Sequence, residues 1–246
     1  MSRGFPRMLS DYCERTGDGF WGEPLNAISN GAFILVALLF YVMLRRAPQR
    51  DWPALALTGI VFAIGIGSFL FHTRPGPRTV LADVIPIQIF ILGYLFLAIR
   101  RFFDANRFWG AGTLAAFLGL DVLMVATRPS ALGGSIGYVP ALIALFVVGA
   151  LLIGRAHLVA LRLGRSSDPA AVAATGLKAA YAGRAILIAG IVFFISLVFR
   201  TVDQPVCARF SVGTHFLWHI CNALVLFILL LTAVRHGPAT PPQIVE

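Results

Sequence analysis

The stretch GSFLFHTRPGPRTVLAD, residues 67–83, closes one long apolar run and opens the next. The run it closes, 52–73, is about as long as the ~20 residues that cross the hydrocarbon core of a bilayer. Inside it, Ser68 and His72 stand four residues apart, which stacks them on one helix face, and Asp83 begins the following run. An ionisable group at the centre of a span costs roughly 2.5–3.5 kcal/mol on insertion scales, so a hydroxyl, an imidazole and a carboxylate in such a place call for a use.

Working outward, uncharged runs at 24–44, 129–154 and 210–234 match the length of 52–73. Shorter runs follow Asp83 (VIPIQIFILGYLFLAI), fill 108–127 with only Asp121 as an interruption, and lie at 185–199 between Arg184 and Arg200. The chain has 246 residues, of which 58% are hydrophobic and 13% charged. These runs predict an all-α integral membrane protein, a bundle of seven transmembrane helices. Helices follow because backbone groups in lipid must bond within the span, and a barrel would show short alternating segments instead. The connections are too short to fold separately, so a single transmembrane domain is expected over 1–246, with an outer segment at 1–23 and a Pro-rich, disordered tail at 237–246. Ser167-Asp168-Pro169 carries a helix-start signal and predicts a short inner helix leading into the sixth span.

The formal charge of +9 does not point to nucleic acid. Basic residues at span ends anchor to headgroups and set topology, and no nucleic-acid or protein partner is predicted. With the N-terminus outside and the C-terminus inside, twelve Arg and Lys fall on the inner side and eight on the outer, the favoured sense. The first run lacks the short apolar core and small-residue cleavage site of a removable signal, and reads as a permanent helix.

This topology brings Ser68 and His72, Asp83, and the pair His215 and His219 of GTHFLWHICNAL to the same depth at the outer face. Two His at i and i+4 can grip one metal ion from a single helix. Three neutral His with an open fourth position form the ligand set of a catalytic zinc site. Asp83 could then take a proton from water, and Ser68 could donate to a developing oxyanion. Singly, each has a blander reading: a packed histidine, a serine bonded to its own helix, an aspartate capping a span. Their combination carries the inference. Cys13 and Cys207 both fall in outer segments, where an oxidising compartment permits a disulfide, and Cys221 lies inside the seventh span.

These motifs resemble the alkaline ceramidase family, within the larger group of seven-span hydrolases that includes the progestin and adipoQ receptors. The motifs are DYCE at 11–14, EPLNAISN at 23–30, GSFLFH at 67–72, Asp83, and HFLWH at 215–219. The resemblance spans nearly the whole chain. It implies zinc on His72, His215 and His219, Asp83 orienting or deprotonating the attacking water, and Ser68 holding the oxyanion. It also implies a calcium site in the acidic N-terminal segment, with Asp11, Glu14 and Glu23 at the ligand positions, the Tyr12 carbonyl contributing, and Thr16 where the family carries Asn. Two departures stand out. Tyr12 replaces the family's Trp, and Val84 follows Asp83 where Glu is usual.

The function expected is therefore zinc-dependent hydrolysis, within the membrane, of a ceramide-like N-acyl lipid to a long-chain base and a fatty acid. The alternative is a non-catalytic lipid receptor or scaffold of the same fold with a structural zinc. Retention of both Ser68 and Asp83 argues against it, because holding zinc needs neither. A retinal pump would need a Lys within a span, and the only Lys is Lys178, in an inner connection. Transporter sites lie near the midplane between repeats, and no internal repeat is visible.

Overall fold

The structure, a computed structural model, describes residues 12–17, 19–162 and 168–237. Asp11 of the expected calcium set, Ser167 of the helix-start signal, and the tail beyond Gly237 lie outside the described residues. Among the described residues there is no strand. The described residues form eight α-helices, in order α1 (Pro24–Ser29), α2 (Gly31–Arg46), α3 (Trp52–Thr73), α4 (Pro77–Phe102), α5 (Arg107–Thr127), α6 (Val139–Ala160), α7 (Pro169–Val206) and α8 (His215–Arg235). Taken with its short leader α1, α2 forms one of seven helical segments long and apolar enough to cross a membrane.

Polar residues mark the helix starts. Asp51 accepts from Ala54 N at 3.2 Å at the head of α3. Asn106 accepts from Phe108 N and Trp109 N at the head of α5, and Asp168 accepts from Ala171 N at the head of α7. Each fills amides that the first helical turn leaves without an internal partner.

Two expectations are corrected in detail. The inner helix before the sixth span is no separate element, because α7 runs unbroken for 38 residues. Its first half is Ala-rich, the strongest helix former, and no proline interrupts it before Pro205. At 1.5 Å per residue it spans about 57 Å, so it projects well beyond a ~30 Å hydrocarbon core. The fifth span also starts later than its apolar run. Residues Ala131–Gly134 and Ile136–Tyr138 form 3-10 turns, with Leu132, Gly133 and Gly134 at positive φ, and α6 begins only where Pro140 occupies its first turn.

The helices pack chiefly as neighbours in sequence: α3 against α2 and α4, and α7 against α6 and α8. The core between them holds Phe40, Val61, Phe90, Leu152, Ile186 and Leu230. Large apolar side chains such as Leu35, Val122, Leu151 and Ile188 stand exposed on the outside, where lipid would cover them. One close crossing positions the chemistry. A Cβ on Gly67 would sit 1.9 Å from the Ala82 carbonyl oxygen, so only glycine lets α3 and α4 meet there. The residues that follow each contact are Ser68 and Asp83.

The end of the bundle opposite those residues is fastened by charge. Arg101 donates to both oxygens of Asp51, at 2.8 and 2.9 Å, and to Ala233 O at 2.8 Å. It thereby ties the start of α3 to the ends of α4 and α8. Removing one partner of a buried pair strands the other and costs about 3–5 kcal/mol, whereas exposed pairs contribute about 0–1 kcal/mol. Asp51→Ala should therefore lower the melting temperature in detergent far more than Asp104→Ala, which breaks the exposed pair with Arg155. Equal shifts would contradict this assignment.

Candidate active site

Ser68 and His72 lie on the last two turns of α3, and His215 and His219 open α8. Asp83 is the seventh residue of α4, a turn deeper than expected, because the helix already begins at Pro77. The three imidazoles converge. Ring centroids are 5.2 Å apart for His72 and His215, 4.8 Å for His72 and His219, and 4.7 Å for His215 and His219. All three are buried, and one ring nitrogen of each lies within 4.8 Å of the others.

Hydrogen bonds fix which nitrogens face inward. His72 Nδ1 meets Glu23 Oε2 at 2.6 Å. An ionised carboxylate only accepts, so Nδ1 carries the proton and Nε2 keeps its lone pair. His219 Nδ1 meets Ser29 Oγ at 2.7 Å. The Ser29 proton is directed to Asn26 O at 3.0 Å, so the hydroxyl accepts from His219. His72 Nε2 and His215 Nδ1 are buried with no hydrogen-bond partner. Leaving such an atom unpaired costs about 1–3 kcal/mol, and a cation among the three rings would remove that cost. Three imidazoles, two of them oriented by further partners, are a donor set that fits zinc.

The support for α8 was not read from the sequence. Asp203 Oδ1 accepts from Thr214 N at 2.7 Å and His215 N at 2.9 Å, and Oδ2 accepts from Cys13 N at 3.1 Å. A carboxylate at the positive end of α8 is well placed, and it also ties down the N-terminal segment. Gly213, at φ +63°, leaves no room for a side chain, because a Cβ would lie 2.2 Å from Asp203 Oδ1. The structure joins Cys13 to Cys207 by a disulfide with Cα atoms 5.3 Å apart. Asp203 lies beyond the apolar run 185–199, so the sequence carries no signal for it.

Among the described residues, the acidic segment engages the histidines, and its carboxylates are taken by other partners. Both Glu14 oxygens are occupied, by Leu25 N at 2.6 Å and Asn26 N at 2.8 Å. Burial pushes the Glu14 carboxyl up, and those two amides pull it back. Glu23 is almost fully buried, which likewise pushes it up, while Asn26 and Arg15 oppose the shift. The Arg15 guanidinium forms an ion pair with Glu23 and also donates to His72 O at 3.3 Å. The Glu23 charge is therefore met by Arg15. Thr16 N donates to Gly22 O. The Tyr12 ring packs 4.0 Å from His215 and 5.1 Å from His72 between centroids, and burial pushes its hydroxyl up to about 12. Among the described residues, the three histidines alone form a group of His, Cys, Asp or Glu that could hold an ion.

A cavity opens beside the histidines. Ser68, Asp83, His215 and His219 line its polar head, and Leu95, Ala98, Val148 and Leu229 line its far, apolar end. The Ser68 hydroxyl stands beside the Asp83 carboxylate. Ala98 lies fifteen residues beyond Asp83 on α4, about 22 Å at 1.5 Å per residue. The arrangement offers a metal-binding set, a proton acceptor and a hydroxyl donor at the head of a long hydrocarbon-lined space.

Comparison with known proteins agrees with this geometry. The sequence model of the family described as Ceramidase matches residues 9–242. A search of curated proteins gives no match. The family match covers nearly the entire chain, from the segment before Cys13 to the residues past α8, and so takes in all the elements that build the site: the chain belongs to the ceramidase family.

Proposed function

We propose that the protein is a zinc-dependent amidase that hydrolyses ceramide-like N-acyl lipids within the membrane, releasing a long-chain base and a fatty acid. The observation that carries this reading is the meeting of three imidazoles, a hydroxyl and a carboxylate at the head of one apolar cavity. His72, His215 and His219 would hold the ion, with Glu23 and Ser29 fixing two of the rings. When bound, zinc supplies Lewis-acid polarisation of the carbonyl and makes hydroxide available near neutral pH. Asp83 accepts the proton of the attacking water and returns it to the amide nitrogen as the C–N bond breaks. Ser68 donates to the carbonyl oxygen as it gains charge. The water oxygen ends in the fatty acid, and the proton leaves with the amine. The hydrocarbon lies along the cavity towards Ala98 and Leu229.

Holding an ion needs neither Ser68 nor Asp83, which favours the hydrolase over a receptor or scaffold with a structural zinc. The distribution of Arg supports a topology with the N-terminus and the catalytic end outside, the C-terminus inside, and substrate entering from the outer leaflet.

Metal binding and turnover should separate. Asp83→Asn and Ser68→Ala should both retain zinc. Ser68→Ala should lose about 10²–10³-fold in kcat, the usual effect of removing one oxyanion donor, and Asp83→Asn should lose more. The reading fails if zinc-loaded wild type cleaves no ceramide or other N-acyl lipid in a broad panel, or if Asp83→Asn matches wild type. For topology, an impermeant thiol reagent applied to intact cells should label Gly76→Cys and spare Ala105→Cys. The reverse pattern would invert the orientation.

A further inference from the structure

Arg200 sits on α7 one turn before Asp203 and lines the cavity that Ser68, Asp83, His215 and His219 share. Its guanidinium carbon lies 5.3 Å from the ring centroids of both Tyr138 and Trp218. Its Nε donates to Ser135 Oγ at 3.1 Å, and Tyr12 faces it from the N-terminal segment. Two aromatic faces and a hydroxyl therefore hold the plane of the group. Aromatic faces attract a cation but do not neutralise it.

What the guanidinium lacks is a carboxylate. Among the described residues none lies within ion-pair distance of Arg200. Its neighbour Asp203 is committed to the amides of Cys13, Thr214 and His215. The Asp83 carboxylate of the same cavity acts on it from beyond that distance, and a buried charge in a membrane bundle without a contacting counter-ion marks a place where a ligand can supply one. The other described Arg near this end are accounted for differently, with Arg128 and Arg209 exposed. Arg15 has Glu23, Arg74 stacks over Phe20, and Arg78 is exposed.

We propose that Arg200 is a specificity residue that binds an anionic group on the amine half of the substrate, so that the natural lipid amide carries a carboxylate or a phosphate next to its amide. The inference rests on the hydrolase reading of the site. The acyl chain occupies the apolar length of the cavity, and the carbonyl belongs at Ser68 and the histidines. The amine half then faces the polar head, where Arg200 stands. Ser135 engages Nε and the Tyr12 hydroxyl accepts from the same guanidinium, and the remaining N–H groups of the terminal nitrogens can pair with the oxygens of a carboxylate or phosphate. A neutral hydroxyl head would accept a hydrogen bond but leave the charge unmatched.

The test compares two matched pairs of substrates with zinc-loaded protein in nanodiscs: an N-acyl amino acid against its methyl ester, and a phosphorylated ceramide against the same ceramide unphosphorylated. Charge-assisted hydrogen bonds should favour the anionic member of at least one pair by about tenfold or more in kcat/KM. The pair showing the margin identifies the anion. Arg200→Gln should erase the margin mainly through KM, and Arg200→Lys should keep part of it. The inference is overturned if wild type handles neutral members as well as anionic ones, or if Arg200→Gln melts like wild type and keeps the margin. The hydrolase reading survives either result. If wild type cleaves no lipid amide at all, that reading fails and binding decides. Asp83→Asn protein should then bind the anionic member about tenfold more tightly and lose this on adding Arg200→Gln, and equal binding of both members overturns the inference.

Discussion

The 2.6 Å contact between His72 Nδ1 and the buried Glu23 carboxylate organises the catalytic end of this protein. Glu23 ends the loop that leads into α1, His72 ends α3, and Arg15 closes over Glu23 from the N-terminal segment. One carboxylate thus fixes a ring, gathers three stretches of chain, and is neutralised without a bound ion. The second ring, His219, is held by Ser29 from the following turn of α1. The third, His215, is placed through its backbone by Asp203. The short helix α1 and the segment before it act as a strap that orients His72 and His219, while α7 and the disulfide to Cys207 position α8, which carries His215 and His219.

Around this centre the bundle follows simple physical rules. Apolar side chains face outward because lipid is the solvent, and polar groups withdraw to the two ends. The far end is clamped by Arg101 between Asp51 and Ala233. The near end depends on a glycine contact, Gly67 against Ala82, that draws α3 and α4 together beside Ser68 and Asp83. Between the ends, the cavity keeps a hydrocarbon-lined path open beneath the polar head. Each end of the bundle thus has its own buried ion pair, Arg101 with Asp51 at one and Arg15 with Glu23 beside the histidines at the other.

Much of this was legible in the sequence. Seven apolar runs give seven spans because length and hydropathy suffice in lipid. Ser68, His72, Asp83, His215 and His219 were visible because polar groups are conspicuous against an apolar background. What escaped was the set of partners. Family resemblance places Glu23 among calcium ligands and says nothing of its other partners. Its pairing with Arg15 and His72 depends on a fold of the N-terminal segment that no periodicity encodes. Ser29 lay within a quoted motif without a role, since only the approach of α8 gives it His219. Asp203 and Arg200 sit three residues apart near the end of α7, and nothing in their spacing says that one is satisfied by backbone amides and the other faces the cavity. The continuity of α7 was also missed. A proline after a capping aspartate marks where a helix starts, but not how far it runs.

The central claim is that His72, His215 and His219 hold one catalytic zinc ion, and its position tests this most directly. Anomalous diffraction recorded on both sides of the zinc edge, from crystals of the purified protein, should give a single peak per chain among the three imidazoles. A peak instead at the Glu14 and Glu23 carboxylates, or protein without any such peak that still hydrolyses lipid amides at full rate, would contradict the account.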